Sequence, residues 1–86
     1  MYKGRHYKRP LYGLQTGLCN GCNEHFRIQN LHMDHIVARA RGGTDHDFNF
    51  QLLCGHCNST KGTKTQAEFQ AEMATRRNLA WMDAEG

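Results

Sequence analysis

Two pairs of cysteines are the feature that most constrains what this chain can fold into. The pairs are Cys19-Asn20-Gly21-Cys22 and Cys54-Gly55-His56-Cys57. Two CxxC pairs separated by a longer insert are typical of a zinc site, because each pair fits a tight turn that directs both sulfurs at one point. Two disulfides, or four unrelated thiols, are the alternatives. We expect one structural Zn²⁺ bound by all four cysteines.

Length and composition agree with a fold that needs such a metal. The chain has 86 residues, its hydrophobic content is 38% and its mean hydropathy is −0.77. A core made from apolar side chains alone would therefore be small. We expect a single domain over residues 1–86. The stretch between the two cysteine pairs is longer than a plain zinc ribbon requires, which leaves room for a functional insert.

The N-terminal residues contain no apolar segment typical of a secretory signal, and no apolar run in the sequence is long enough to span a membrane. These features predict a cytoplasmic location, where thiols stay reduced, and no membrane partner. They also argue against the disulfide alternative.

The basic residues are more informative by position than by number. The formal net charge of +3 would fall to about +1 with four thiolates and one Zn²⁺, so the total charge is weak evidence for a nucleic-acid partner. Residues 1–10 form a basic arm without an acid, and further basic residues flank Ala40 within the insert and follow the last cysteine. Ordinary solvated surface is the alternative for each cluster. The candidate phosphate contacts are Lys3, Arg5, Lys8, Arg9, Arg39, Arg41, Lys61 and Lys64.

Local patterns predict a small α+β fold. Residues 31–37 and 50–53 are predicted strands, joined by a loop over residues 38–48 with a turn at Gly42-Gly43. A short helix is predicted from Pro10 to about Gln15, and a helical segment near Cys57. Thr65 and Glu68 form a capping box that predicts a C-terminal helix over residues 65–78.

Polar residues within and just after the insert suit phosphodiester hydrolysis. A water must lose a proton as it attacks phosphorus, and a neutral histidine such as His35 can accept it. Negative charge must be neutralised on the phosphate oxygens and on the leaving oxygen, which a hard divalent cation can do. Asp34 offers a carboxylate and Asn58 an amide oxygen for Mg²⁺ or Mn²⁺. Each residue alone has an ordinary surface explanation, and only their joint arrangement is specific.

That arrangement resembles the HNH, or ββα-metal, endonuclease family, in its zinc-stapled branch. The resemblance covers about residues 14–64. It is carried by Cys19-x-x-Cys22, Met33-Asp34-His35-Ile36-Val37, Gly42-Gly43-Thr44-Asp45, Asn49-Phe50-Gln51-Leu52-Leu53-Cys54 and Cys57-Asn58-x-x-Lys61-Gly62. Phe50 stands where leucine is common in the family, a departure that should be harmless.

The resemblance implies a ββα-metal core with a four-cysteine zinc knuckle and flanking short helices. It implies that His35 is the general base, that Asp34 and Asn58 bind the catalytic metal, and that Asn49 braces the loop. Asn58 in the third position makes this an H-N-N variant. The implied activity is endonuclease cleavage of DNA, with RNA also conceivable, one strand at a time and leaving a 5′-phosphate. A non-catalytic zinc module that binds nucleic acid or a protein is the alternative.

Two further expectations follow. Few residues are available to read bases, so we expect weak sequence specificity unless a partner domain or a dimer supplies it. Regular strand alternation places Asp34 and His35 on opposite faces, so we expect an irregularity at that step, where the strand bends or ends.

Overall fold

Two antiparallel strands form the centre of the structure, a computed structural model that describes residues 7–85 and the side chains of residues 7–79. Strand β1 spans Leu31–His35 and strand β2 spans Phe50–Cys54. Their register is regular, from Leu31 opposite Cys54 to His35 opposite Phe50. The strands therefore carry His35 and the second cysteine pair at opposite ends of one hairpin.

Helices cover both faces of this hairpin. Helix α1 (Lys8–Leu14) packs on β2 from one side, and helix α2 (Gly55–Lys61) packs on both strands from the other. Helix α3 (Gln66–Glu85) adds Phe69 to the core beside α2. Every residue of β2 is buried as a result, which explains why this strand lacks the alternation of a half-exposed one.

The outer edge of β2 is paired by a side chain instead of a third strand. The side-chain amide of Gln15 donates to the carbonyl of Leu52 at 3.1 Å, and its oxygen accepts from the Leu52 amide at 2.8 Å. The backbone amide of Asn20 donates to the same Leu52 carbonyl at 3.0 Å. These bonds satisfy backbone groups that an open edge would leave available to another chain.

The small α+β fold confirms the predicted class, because β1, β2 and α2 follow one another as a ββα unit with the four cysteines clustered beside it. The short elements differ from prediction by a few residues: β1 ends at His35, and α1 already begins at Lys8. No helix within residues 7–85 is both long and apolar enough to cross a membrane.

Helix α3 begins as predicted and ends later. The Glu68 amide donates to the Thr65 hydroxyl at 3.1 Å, and the Thr65 amide donates to the Glu68 carboxylate at 2.8 Å, so the capping box is present. The predicted end near residue 78 is wrong, because the helix continues to Glu85. Neither glycine nor proline follows Asn78 before Gly86, and the intervening residues include good helix formers such as alanine, leucine and methionine.

Candidate functional site

The four cysteine sulfurs converge on one point. Their Sγ atoms all lie within 4.8 Å of one another. A tetrahedral zinc with bonds of about 2.3 Å needs sulfurs about 3.8 Å apart, so a small contraction would suffice. The first pair lies in a turn closed by a bridge between Leu18 and His25, and the second pair lies where β2 passes into α2. The donor set and its geometry fit a structural zinc ion.

Backbone amides around this cysteine cluster favour thiolates. The amides of Gly21 and Cys54 each donate to the Cys19 sulfur at 3.3 Å, and the Cys57 amide donates to the Cys54 sulfur, which caps α2. A Cβ at Gly21 would lie 2.8 Å from both the Cys57 sulfur and the ring of Phe69. A glycine is therefore needed where the first turn packs against the cluster.

The pKa values of these thiols report how closely they are crowded. Burial raises the pKa of Cys19, but the amides of Cys54, Cys22 and Gly21 outweigh it, so the net pKa lies below the ordinary thiol value. Burial and the neighbouring cysteines raise the pKa of Cys22 and Cys57. Four thiols this close cannot all ionise without a compensating cation, which a divalent metal would provide.

His35 lies at the end of β1, on the face covered by α1. Its Nε2 is 2.8 Å from Oδ1 of Asp45, and its ring packs on Phe50 with the ring centroids 4.8 Å apart. Tyr7 contacts the same Phe50 ring. The side chain of His35 is 16% exposed, so the imidazole is held firmly yet remains open to a substrate.

Asp34 lies on the opposite face of the hairpin, beneath α2. One of its oxygens, Oδ2, accepts from Lys61 Nζ at 2.6 Å and from Gln51 Nε2 at 2.9 Å. The other, Oδ1, has no hydrogen-bond partner among the described residues, and the side chain is 15% exposed. The ladder keeps its register through both residues, without a bend, and β1 ends at His35, which is the strand end expected at this step.

Lys61 is an internal cation that ties the end of β1 to α2. It is 1% exposed. Besides the bond to Asp34, its ammonium donates to the carbonyls of His35 at 2.6 Å and Ile36 at 3.1 Å. All three ammonium protons are therefore used inside the protein. The structure places Lys61 in the interior, where it has no surface to offer a phosphate, contrary to its expected role as a DNA contact.

Asn49 joins the two ends of the 36–49 loop. Its side-chain amide donates to the carbonyls of Thr44 at 2.7 Å and Val37 at 3.1 Å, and its oxygen accepts from the Val37 amide at 2.9 Å. Its own carbonyl accepts from the Ile36 amide, while the Gly43 amide donates to the carbonyl of Ala38. A Cβ at Gly43 would collide with the carbonyl of Val37, so the loop closes only with glycine there.

Replacing Asn49 with alanine should cost about 1–3 kcal/mol in free energy of unfolding, because it leaves part-buried backbone groups of Val37 and Thr44 without these partners. Denaturant unfolding of the zinc-loaded chain measures this cost, and faster hydrogen exchange at the Val37 amide would localise it. Asn78→Ala, at an exposed position of α3, is the matched control and should change little. Equal stability of the two variants would show that the loop is held by other contacts.

The remaining predicted site residues lie at the surface. Asn58 is exposed on α2, one turn before Lys61. Arg39 and Arg41 are exposed, and Arg41 donates to the carbonyl of Thr63. Lys64 is partly exposed and bonds to Thr60 and Glu72. Arg9 is exposed and Lys8 half-buried in α1, whereas Lys3 and Arg5 lie outside the described residues.

Sequence reasoning missed the contact between His35 and Asp45. Asp45 belongs to the Gly-Gly-Thr-Asp turn, and no ligand spacing connects it to His35. Only the closure of the 36–49 loop by Asn49 brings the two side chains together. The signal in the sequence was indirect: an acid in a loop whose ends are fixed must return close to the strand that begins the loop.

Comparison with known families agrees with this arrangement. A family model described as HNH endonuclease matches residues 19–64, more than half of the chain. The matched segment contains the four cysteines, Asp34, His35, Asn49 and Asn58. A comparison with curated proteins found no match. The family indicates a nuclease or nucleic-acid-related function with a nucleic acid as substrate. By this match, and with the cysteine cluster and ββα unit in place, the chain belongs to the HNH endonuclease family.

Proposed function

We propose that this chain is a metal-dependent endonuclease that hydrolyses DNA phosphodiester bonds, with His35 as the general base. The observation that carries the proposal is the setting of His35: a partly exposed imidazole at a strand end, fixed by Asp45 and Phe50. Asp34 is the preceding residue of β1, near the same end of the hairpin, and its side chain lies on the opposite face. An imidazole can accept a proton from water near neutral pH, and a rigid setting preserves its alignment with the substrate.

Asp34 and Asn58 are the residues that would hold a catalytic Mg²⁺ or Mn²⁺. One is a carboxylate with an oxygen unoccupied by described residues, and the other an exposed amide, so their chemistry fits a hard cation with positions left for water and phosphate. When bound, the cation would offset the negative charge that develops on the phosphate and the leaving oxygen. In this H-N-N arrangement Asn49 acts indirectly, by holding the loop that carries Asp45.

The DNA backbone would be bound by basic residues that are at least partly exposed. The candidates that the structure leaves at the surface are Lys8, Arg9, Arg39, Arg41 and Lys64. Lys3 and Arg5 extend the set along the chain but lie outside the described residues. Contacts of this kind bind phosphates without reading bases, so affinity should fall steeply with salt while sequence preference stays weak.

The test is cleavage of a supercoiled plasmid by the zinc-loaded chain with Mg²⁺, Mn²⁺ or EDTA. The parent should nick the plasmid with either metal and not with EDTA. His35→Ala should reduce the cleavage rate by about 10²–10⁴ while zinc content, fold and DNA binding are retained, because the base acts only in the transition state.

His56→Ala is the matched control, since His56 is an exposed histidine beside Arg76 on α3. It should cleave like the parent. Loss of cleavage in His56→Ala but not in His35→Ala would show that His56, and not His35, is the general base. If the parent binds DNA but cleaves neither DNA nor RNA with any metal, the chain is a non-catalytic binding module and not an enzyme.

A further inference from the structure

Asp45 is an acidic side chain that contacts His35 in the part of the chain that the structure describes. Oδ1 of Asp45 lies 2.8 Å from Nε2 of His35. The carboxylate therefore contacts the Nε2 side of the ring and not the Nδ1 side. Asp45 lies in the closed 36–49 loop, whose ends Asn49 fixes, and His35 is the last residue of β1, just before that loop. The contact is therefore a product of the fold and not of neighbouring positions in the sequence.

The choice of nitrogen has a chemical consequence. A neutral imidazole carries one proton, and a carboxylate can only accept a hydrogen bond. When Nε2–H donates to Asp45, the proton lies on Nε2 and the lone pair on Nδ1. A carboxylate that holds a histidine in one tautomer also stabilises the imidazolium that forms when the other nitrogen takes a proton.

We propose that Asp45 is a positioning residue for the general base: it accepts a hydrogen bond from Nε2–H of His35 and thereby makes Nδ1 the atom that receives the proton. This inference rests on the proposed function of His35. In the step, the O–H bond of the attacking water breaks and its proton moves to Nδ1. The water oxygen forms a bond to phosphorus, the bond from phosphorus to the 3′-oxygen breaks, and that oxygen takes a proton from solvent.

The exposure of the two side chains allows this role to be separated from stability. The side chain of Asp45 is 37% exposed, whereas that of His35 is 16% exposed. Removing the Asp45 carboxylate therefore leaves no cavity in the core. The Asn49 bonds that close the loop run to Thr44 and Val37 and do not involve the Asp45 side chain.

Three variants of the zinc-loaded chain test the proposal, with the ¹⁵N spectrum of the His35 ring and the kinetics of cleavage as readouts. In its neutral form, the His35 ring of the parent should show the Nε2–H tautomer. Asp45→Ala should shift the ring toward a mixture of tautomers and lower kcat at least about 10-fold, with KM little changed. Asp45→Asn keeps an acceptor without the charge, so it should retain the tautomer and recover part of kcat.

Asp47→Ala is the matched control, because Asp47 is an acid of the same loop whose carboxylate accepts from the Phe48 amide. It should leave tautomer and kcat unchanged. An Nδ1–H tautomer in the parent, or full kcat in Asp45→Ala, would overturn the proposal while leaving His35→Ala to decide the nuclease function. If the parent cleaves nothing, the nuclease function fails, and with it the catalytic role of Asp45, whatever tautomer the spectrum shows.

Discussion

Removing zinc from the folded chain, or replacing Cys54 with serine, is expected to unfold it. Cys19 and Cys57 are fully buried and Cys54 nearly so, and together they form much of the core with Leu31, Leu52, Leu53 and Phe69. Structural zinc contributes on the order of 10–16 kcal/mol of apparent binding free energy in small domains, against a net stability of about 5–15 kcal/mol for a whole domain. The apolar contacts that remain are too few to replace it.

Far-UV circular dichroism during titration with a zinc chelator measures this dependence, with zinc content followed in parallel. The transition to an unfolded or molten chain should coincide with loss of one zinc per chain. Added zinc should restore the fold, whereas added magnesium should not. A chain that still unfolds cooperatively on heating after its zinc is removed would show that the core is sufficient alone.

Acid should release the same zinc. The thiols must lose their protons to bind the metal, so lowering the pH favours the free, protonated cysteines. Burial raises the pKa of Cys22 and Cys57, which strengthens this competition from protons. Zinc affinity, and with it folded-state stability, should therefore fall as pH falls.

Lys61→Met should be the most destabilising single change outside the cysteine cluster. It removes a buried ammonium and leaves the Asp34 carboxylate and the carbonyls of His35 and Ile36 short of a donor. Breaking a buried pair by removing one partner typically costs about 3–5 kcal/mol, because the remaining charge is uncompensated. Denaturant unfolding of the zinc-loaded variant measures the loss.

Lys64→Met is the matched control, since the Lys64 side chain is 42% exposed and its ion pair with Glu72 lies at the surface. Its cost should be within about 1 kcal/mol. The double variant Asp34→Asn with Lys61→Met should lose less than the two single variants added together, because the lone carboxylate is removed. If Lys61→Met were as stable as Lys64→Met, the internal ion pair would contribute nothing to the fold.

The sequence was informative wherever function depends on spacing along the chain. Two CxxC pairs were enough to predict the cysteine cluster, and Thr65 with Glu68 predicted where α3 begins, because both patterns are satisfied within a few residues. Asn49 was expected to brace the loop, and its three side-chain bonds show that it does.

The sequence was less informative wherever a side chain finds its partner through the closed fold. Lys61 looked like a surface cation because its neighbours are polar, and only the packing of α2 on β1 buries it. Asp45 lacked a motif because its partner His35 lies in β1, 10 residues earlier in the chain. The end of α3 was missed because no residue stops the helix, and helices without a stop signal are the hardest to delimit.

The closure of the 36–49 loop also determines where this chain can change in length. Connecting loops usually tolerate insertions, since few of their backbone groups are bound. Here the backbone is tied across the loop from Ile36 to Asn49 and from Ala38 to Gly43, and the Val37 carbonyl leaves no space at Gly43. One added or deleted residue would break these ties and separate Asp45 from His35. This loop is therefore as fixed in length as a strand or a helix turn.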